Sequence, residues 1–248
     1  MKIHELSVQH KVHILYSLHP KPRRPGFFKR CLGAEWIEVL SNRLDWEKLV
    51  IADPIELAQK IASILLPLNI PYVVGGSVAI SLLGENKTTR YLDLVIDLEA
   101  RIAPQLIDVM SGEFYISASA VTEAITKPTT APGESSFNVI YLPSVEKAHI
   151  FVMDSDDPFS ASVRSRRQLH PVSDLIFEGI YIYSPEDIVL QKLSSYKLTP
   201  GGSQQQWRDV LAVLKVQGEG LDRAYLNQWA LTLKLTDLLD EALLQSGH

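Results

Sequence analysis

Apolar residues recur along most of this chain at the spacings of amphipathic helices and short buried strands. A helix is predicted to begin after Asp53, because an aspartate side chain can cap a helix N-terminus and Pro54 follows at the first helical position. A buried strand is predicted at 72–74 and a second helix at 78–83, with Gly84 as its stop. The sequence between them is Gly-Gly-Ser.

The clearest strand is 91–98, an apolar run interrupted by Asp93 and Asp97. The pattern then predicts helices at 104–110, 118–125 and 158–168, and strands at 113–116, 136–142, 148–153 and 180–183. The strands 136–142 and 148–153 are separated by a short turn and are predicted to be antiparallel.

From Ser184 onward the periodicity is almost entirely helical. These elements predict an α/β (α+β) fold, in which a mixed sheet with flanking helices is followed by a helical C-terminal region. The expected organisation is an N-terminal extension at 1–50, a core at 51–183 and the helical region at 184–248.

Composition narrows the class of protein. The 248 residues are 46% hydrophobic and 21% charged, which is ordinary for a globular chain. The net charge of −5 argues against a dedicated nucleic-acid coat, although the basic stretch 21–30 is either a nucleic-acid arm or, as we favour, a surface extension. The single cysteine, Cys31, excludes a disulfide framework, and no apolar run is long enough for a membrane span. We expect a cytoplasmic protein without membrane contact.

The chemistry is concentrated around Gly75, Gly76 and Ser77. Two glycines allow the backbone to approach a ligand closely, and the N-terminus of the following helix offers free N–H groups to a phosphate. A Gly-Gly-Ser sequence alone is usually a plain turn. Here a strand precedes it, a helix follows, and the next strand carries the acidic residue Asp93.

These segments resemble the core motif of the polymerase-β-type nucleotidyltransferase superfamily, most closely its bacterial minimal and AbiEii toxin-related branch. The likeness lies in residues 74–79 (VGGSVA) and 84–96 (GENKTTRYLDLVI). It continues in weaker form through 136–140, 147–152, 184–193 and 206–211. In all, it covers about residues 55–245 and leaves the N-terminal extension unmatched.

The resemblance implies transfer of a nucleotidyl group from a nucleoside triphosphate to an RNA, protein or small-molecule acceptor. Members of the superfamily hold two Mg²⁺ or Mn²⁺ ions on three carboxylates, two at alternate positions of one strand and one on a neighbouring strand. In this chain those positions are Tyr91, Asp93 and His149. Only Asp93 is a carboxylate, and neither a phenol nor an imidazole supplies the anionic oxygen that magnesium prefers.

Other residues match positions on the nucleotide side of the family's site. Lys192 falls where relatives direct a lysine toward the triphosphate, and Lys87 falls where they often have arginine. Without the resemblance, each would be an ordinary surface charge. Arg208 and Asp209 match a recurring pair that either orients Lys192 or links two helices. Glu186 and Asp187 are interpreted as helix-capping residues.

Three hypotheses about function follow. In the first, the protein binds a nucleotide but has lost metal-dependent transfer, and is therefore a pseudoenzyme. In the second it is an active, toxin-like transferase whose rearranged site uses Asp93, Asp97 or the acids at 154–157. In the third it is an antitoxin-like or regulatory interaction module. The basic residues Arg164, Arg166, Arg167 and His170 form either an RNA contact or a solvated face. We favour the first hypothesis.

Overall fold

The computed structural model describes residues 53–84, 91–126, 135–172 and 179–248. The predicted N-terminal extension and Lys87 lie outside these residues, as does most of the loop after 126. Within the described ranges, seven strands form one mixed sheet. The strands are β1 (Tyr72–Val74), β2 (Leu92–Ile96), β3 (Phe114–Ile116), β4 (Ser136–Tyr141), β5 (Glu146–Val152), β6 (Gln168–His170) and β7 (Ile180–Ile182).

The order of strands in the sheet is β3-β4-β5-β2-β1-β7-β6. The pairs β2–β5 and β1–β7 are parallel, and the other neighbouring pairs are antiparallel. As predicted, β4 and β5 form an antiparallel pair. The central position of β2, between β5 and β1, places Asp93 in the middle of the sheet.

Helices pack around this sheet and continue beyond it. They are α1 (Pro54–Leu65), α2 (Gly76–Leu83), α3 (Ala103–Met110), α4 (Ala118–Thr126), α5 (Pro158–Arg166), α6 (Pro185–Leu198), α7 (Gln204–Gln217), α8 (Arg223–Thr232) and α9 (Thr236–Ser246). The predicted fold class is therefore confirmed: a mixed sheet with flanking helices and a helical C-terminal region. None of the helices in the described ranges combines the length and the apolar character needed to span a bilayer.

Side-chain caps explain where several helices begin. Asp53 accepts a hydrogen bond from the Ile55 N–H at 3.0 Å, and Ser184 accepts one from the Asp187 N–H at 3.1 Å. Such caps satisfy N–H groups that have no acceptor within the helix. Both helices therefore begin where the sequence predicts.

Other element ends differ from the prediction. The strand expected at 91–98 is shorter, because Tyr91 and Asp97 lie outside its ladder. The helix expected at 158–168 ends at Arg166 because the backbone of Arg167 is extended. The next residues, Gln168–His170, pair with β7 as an edge strand that the sequence analysis did not predict.

One continuous apolar core joins the sheet to the C-terminal helices. Leu94 of β2 and Ile150 of β5 are fully buried, and so are Ile188, Leu193 and Val213 of α6 and α7. All of them belong to one cluster of packed side chains. The helical region is therefore part of the same core, and its helices α6 and α7 pack against α2, which itself packs on the strand that carries Asp93.

Candidate functional site

Two glycines fix the approach of α2 to β2. Gly76 has φ +55°, and a Cβ at this position would lie 2.0 Å from Asp93 Oδ2. The Gly75 N–H donates to the Asp93 carbonyl oxygen at 2.9 Å, and a Cβ on Gly75 would lie 3.0 Å from the Tyr183 ring. The chain therefore needs glycine at 76 for both space and backbone conformation. Ser77 follows in the first turn of α2 and is half-buried.

Asp93 and His149 occupy directly opposite positions on the parallel strands β2 and β5. The distance from Asp93 Oδ1 to His149 Nδ1 is 3.9 Å, and each side chain is about one-third exposed. On its other side, the imidazole Nε2 lies 3.0 Å from Ser136 Oγ of β4. His149 also packs against the Phe151 ring, with centroids 4.1 Å apart. The structure therefore brings together Asp93 and His149, two of the three positions that the resemblance assigns to metal binding.

Burial shifts both groups toward their neutral forms. Loss of solvation raises the pKa of the Asp93 carboxyl, against the opposing charges of His149, Lys192 and Lys147. Loss of solvation likewise lowers the pKa of His149, despite the nearby Asp93 charge. Partial burial disfavours the charged form of the Asp93 carboxyl. A cationic group bound beside Asp93 would offset this loss of solvation.

The side chains around Asp93 do not fit a two-magnesium site. Among the described residues, no three His, Cys, Asp or Glu side chains are grouped closely enough to hold a metal ion. Asp93 supplies one carboxylate, and its partner in register is an imidazole. Tyr91 lies just before β2 and is 61% exposed. A single carboxylate with a neutral nitrogen is a poor donor set for Mg²⁺, which favours several oxygen ligands.

A cavity of about 510 Å³ opens beside Asp93, between the sheet and the helices α5 and α6. Its lining is mixed. The polar lining residues include Asp93, Gln191, Lys192, Ser194, Ser195 and Gln206, next to the glycines Gly75 and Gly76. The apolar ones include Val95, Phe151, Phe159, Val163 and Leu233. A cavity of this size with both kinds of lining is suited to a small organic ligand.

Lys192 is a buried cation in the lining of the cavity. Its side chain is 9% exposed, and Nζ lies 3.3 Å from Asp209 Oδ2 of α7. Asp209 also accepts a hydrogen bond from Gln205 Nε2 at 2.8 Å. Of the two roles left open for Asp209, the contact includes both: it meets Lys192, and it joins α6 to α7. Arg208 is exposed.

The other acids proposed for a rearranged site have structural partners. Asp97 is bound by Arg164 Nη1 and by the Ser155 hydroxyl at 2.8 Å. Asp157 caps α5 by accepting from the Ser160 N–H at 2.8 Å. Asp154 accepts from the Asp156 N–H at 3.0 Å. Asp154 and Asp157 also line the cavity.

The arginines of the basic cluster at 164–170 contact different parts of the fold. Arg164 pairs with Asp97, and Arg166 donates to Glu186 Oε2 at 2.8 Å. The Arg167 guanidinium lies over the Tyr181 ring, 4.5 Å from its centroid. These side chains therefore connect α5 and its C-terminal end to neighbouring elements.

Glu186 and Asp187 do more than occupy the first turn of α6. Both are buried. Glu186 Oε1 accepts from the Asp222 N–H at 2.9 Å, and Asp187 Oδ1 accepts from the Tyr225 hydroxyl at 2.5 Å. Burial raises the pKa of Asp187, against hydrogen bonds from Tyr225 and Ser184. These bonds attach α8 to the start of α6, a role that the sequence analysis missed because the partners lie far along the chain.

Comparison with known proteins finds matches among solved structures. No family model matches the chain, and no curated protein matches it. A solved nucleotidyltransferase-like antigen from Paracoccidioides brasiliensis is 21% identical over 75% of this chain and 88% of its own, with a TM-score of 0.41. The crystal structure of ANT(2'')-Ia with adenylyl-2''-tobramycin is 11% identical over 73% of this chain and 96% of its own, with a TM-score of 0.47. The solution structure of this antibiotic-resistance factor has a TM-score of 0.41, with 13% identity over 76% of this chain and 96% of its own. At these values no function follows from the likeness.

Proposed function

We propose that this protein binds a nucleoside triphosphate in the cavity beside Asp93 and does not catalyse metal-dependent nucleotidyl transfer. The observation that carries the proposal is the register pair of Asp93 and His149, which puts an imidazole where the resembled family has a carboxylate. Asp97 does not replace it, because Asp97 is already paired with Arg164. Asp154 and Asp157 are engaged by backbone N–H groups at the start of α5.

The nucleotide side of the site supports binding. The first turn of α2 presents backbone N–H groups next to the cavity, as phosphate-binding helices do. Lys192 adds a positive charge on the cavity wall, held by Asp209. These groups attract a polyphosphate without requiring a bound metal. Placement in the AbiEii toxin-related branch remains a prediction from the resemblance.

Calorimetric titration with ATP, GTP, CTP and UTP tests this proposal. We expect at least one triphosphate to bind in EDTA, with an affinity that changes less than about threefold when Mg²⁺ or Mn²⁺ is added. Lys192→Met should weaken binding by about tenfold or more, since a charge-assisted contact contributes about 1.5–3 kcal/mol. Lys215→Met, on the exposed face of α7, is the matched control and should bind normally.

A variant with restored carboxylates tests whether the altered residues explain the metal independence that we propose. Tyr91→Asp combined with His149→Asp returns carboxylates to both altered positions, so nucleotide affinity should become dependent on Mg²⁺. Transfer of labelled nucleotide to RNA or protein by the unaltered chain would contradict the proposal and favour the active-enzyme hypothesis. Absence of binding by all four triphosphates would contradict it in favour of an interaction module.

A further inference from the structure

The side chain of Tyr183 carries a hydroxyl group that has no partner inside the protein. Tyr183 directly follows β7, lines the cavity and is only 6% exposed. Within the described residues its hydroxyl makes no hydrogen bond, and it is not one of the unpartnered polar atoms that are sealed from solvent. We propose that this hydroxyl donates a hydrogen bond to the polyphosphate of the bound nucleotide, an inference that rests on the proposed function.

Backbone pairing places the Tyr183 ring at the start of α2. The Tyr183 N–H donates to the Val74 carbonyl oxygen at 3.3 Å, at the end of the parallel pairing of β7 with β1. The ring then lies against Gly75, where an added Cβ would be 3.0 Å from the ring atom Cε2. Gly75 is the N-cap of α2, and the first N–H groups of a helix have no acceptor within it. Tyr183 therefore borders the helix N-terminus beside which we propose that the phosphates bind.

Two carboxylates influence this hydroxyl without accepting its hydrogen. Asp187 already accepts from the Tyr225 hydroxyl at 2.5 Å and from the Ser184 hydroxyl at 2.7 Å. Burial raises the pKa of the Tyr183 phenol, and the charges of Asp187 and Asp93 raise it further. The phenol therefore keeps its proton at neutral pH and is available to donate it in a hydrogen bond to a ligand.

A triphosphate supplies the acceptor that this hydroxyl lacks. Hydrogen bonds to anionic oxygens are stronger than those between neutral groups. Lys192 belongs to the same cavity lining, and its ammonium offsets the repulsion between the phosphates and the Asp93 carboxylate. A hydrogen bond to a charged acceptor contributes about 1.5–3 kcal/mol, which corresponds to about 10- to 150-fold in affinity.

Calorimetric titration of Tyr183→Phe with the triphosphate that the unaltered chain binds most tightly tests the inference. The variant keeps the ring against Gly75 and removes only the hydroxyl, so the affinity should fall at least about tenfold. Affinity for inorganic tripolyphosphate should fall by a similar factor, because the lost contact is to phosphate. Tyr181→Phe is the matched control: Tyr181 lies on β7 but is not part of the cavity lining, and the variant should bind normally.

Thermal unfolding of the ligand-free proteins separates a ligand contact from a structural role. Because the hydroxyl makes no hydrogen bond within the described residues, Tyr183→Phe should unfold at the same temperature as the unaltered chain or at a higher one. A weaker affinity together with a lower unfolding temperature would overturn the inference, since the hydroxyl would then be a structural group.

The remaining outcomes distinguish the inference from the proposed function. Normal triphosphate binding by Tyr183→Phe would overturn the inference and leave nucleotide binding intact. A loss of affinity for the nucleotide but not for tripolyphosphate would also overturn it, because the hydroxyl would then contact the ribose or the base. Failure of every triphosphate to bind the unaltered chain would overturn the proposed function, and the inference with it.

Discussion

Gly76 shows at the scale of one residue how the backbone and Asp93 depend on each other. Its positive φ lies in the region that side chains rarely adopt, and the missing Cβ leaves the space that the Asp93 carboxylate fills. Any larger residue would have to change its own backbone conformation and also displace the carboxylate.

Gly76→Ala should therefore lower the free energy of unfolding by about 2 kcal/mol or more, from backbone strain and from the clash with Asp93. Urea denaturation measures this loss. Gly112→Ala is the control, because the nearest atom to its added Cβ is 3.8 Å away, and it should change stability by less than about 1 kcal/mol. In an Asp93→Ala background, Gly76→Ala should cost less. An equal cost in both backgrounds would mean that the carboxylate is not the obstacle.

The sequence identifies some site residues and misses others for physical reasons. Asp93 stands out because a carboxylate in an apolar strand is unusual, whereas His149 is identified only through the family resemblance. Asp97 has the same sequence character as Asp93, yet its pairing with Arg164 depends on how α5 packs. Tyr183 is an ordinary residue at the end of a strand until its position against Gly75 is known.

At the scale of elements, the pair of α6 and α7 depends on a buried charge contact. Lys192 and Asp209 are both nearly inaccessible to water, so each needs the other to offset its lost hydration. Because the contact also orients Lys192 on the cavity wall, packing of the two helices and the charge available to a ligand are coupled.

Asp209→Ala should destabilise the protein by about 3–5 kcal/mol, because it leaves the Lys192 ammonium buried without its carboxylate. The double variant Lys192→Met with Asp209→Leu removes both charges and should recover most of that loss. Thermal unfolding of the three proteins measures both changes. Similar destabilisation by the single and double variants would show that lost packing, and not an unpaired charge, is responsible.

Elements are predicted well where local signals determine them. Ser184 and Pro185 predict the start of α6 correctly. The short turn between β4 and β5 predicts that these strands pair in antiparallel orientation. In contrast, β6 has little apolar character of its own and exists because β7 offers it a partner. Pairing between segments that are distant in the sequence is a tertiary effect, so it cannot be predicted from local periodicity.

At the scale of the whole molecule, the sheet and the C-terminal helices share one core. The sequence predicts a helical region at 184–248, and Ile188 and Leu193 of this region are buried in the same cluster as Leu94 and Ile150. The core would lose the buried side chains of α6 and α7, which pack against α2, if these helices were absent.

A chain ending at Tyr183 should therefore fail to unfold cooperatively and should bind hydrophobic dyes, as loosely packed states do. Calorimetry of the truncated and full-length chains tests this expectation. The full-length protein should show one transition that includes both regions. Removal of the last two residues alone is the control and should preserve that transition. A sharp transition in the shorter chain would establish the predicted boundary as that of an independent folding unit.

The parallel pairing of β1 with β7 has a consequence for synthesis on the ribosome. Val74 emerges early, whereas its partner Ile182 follows only after the other strands of the sheet have been translated. Until then, one edge of β1 has no strand beside it. The unpaired backbone groups of such an edge can form hydrogen bonds with other chains. Nascent molecules of this protein should therefore depend most on chaperones between the appearance of β1 and that of β7.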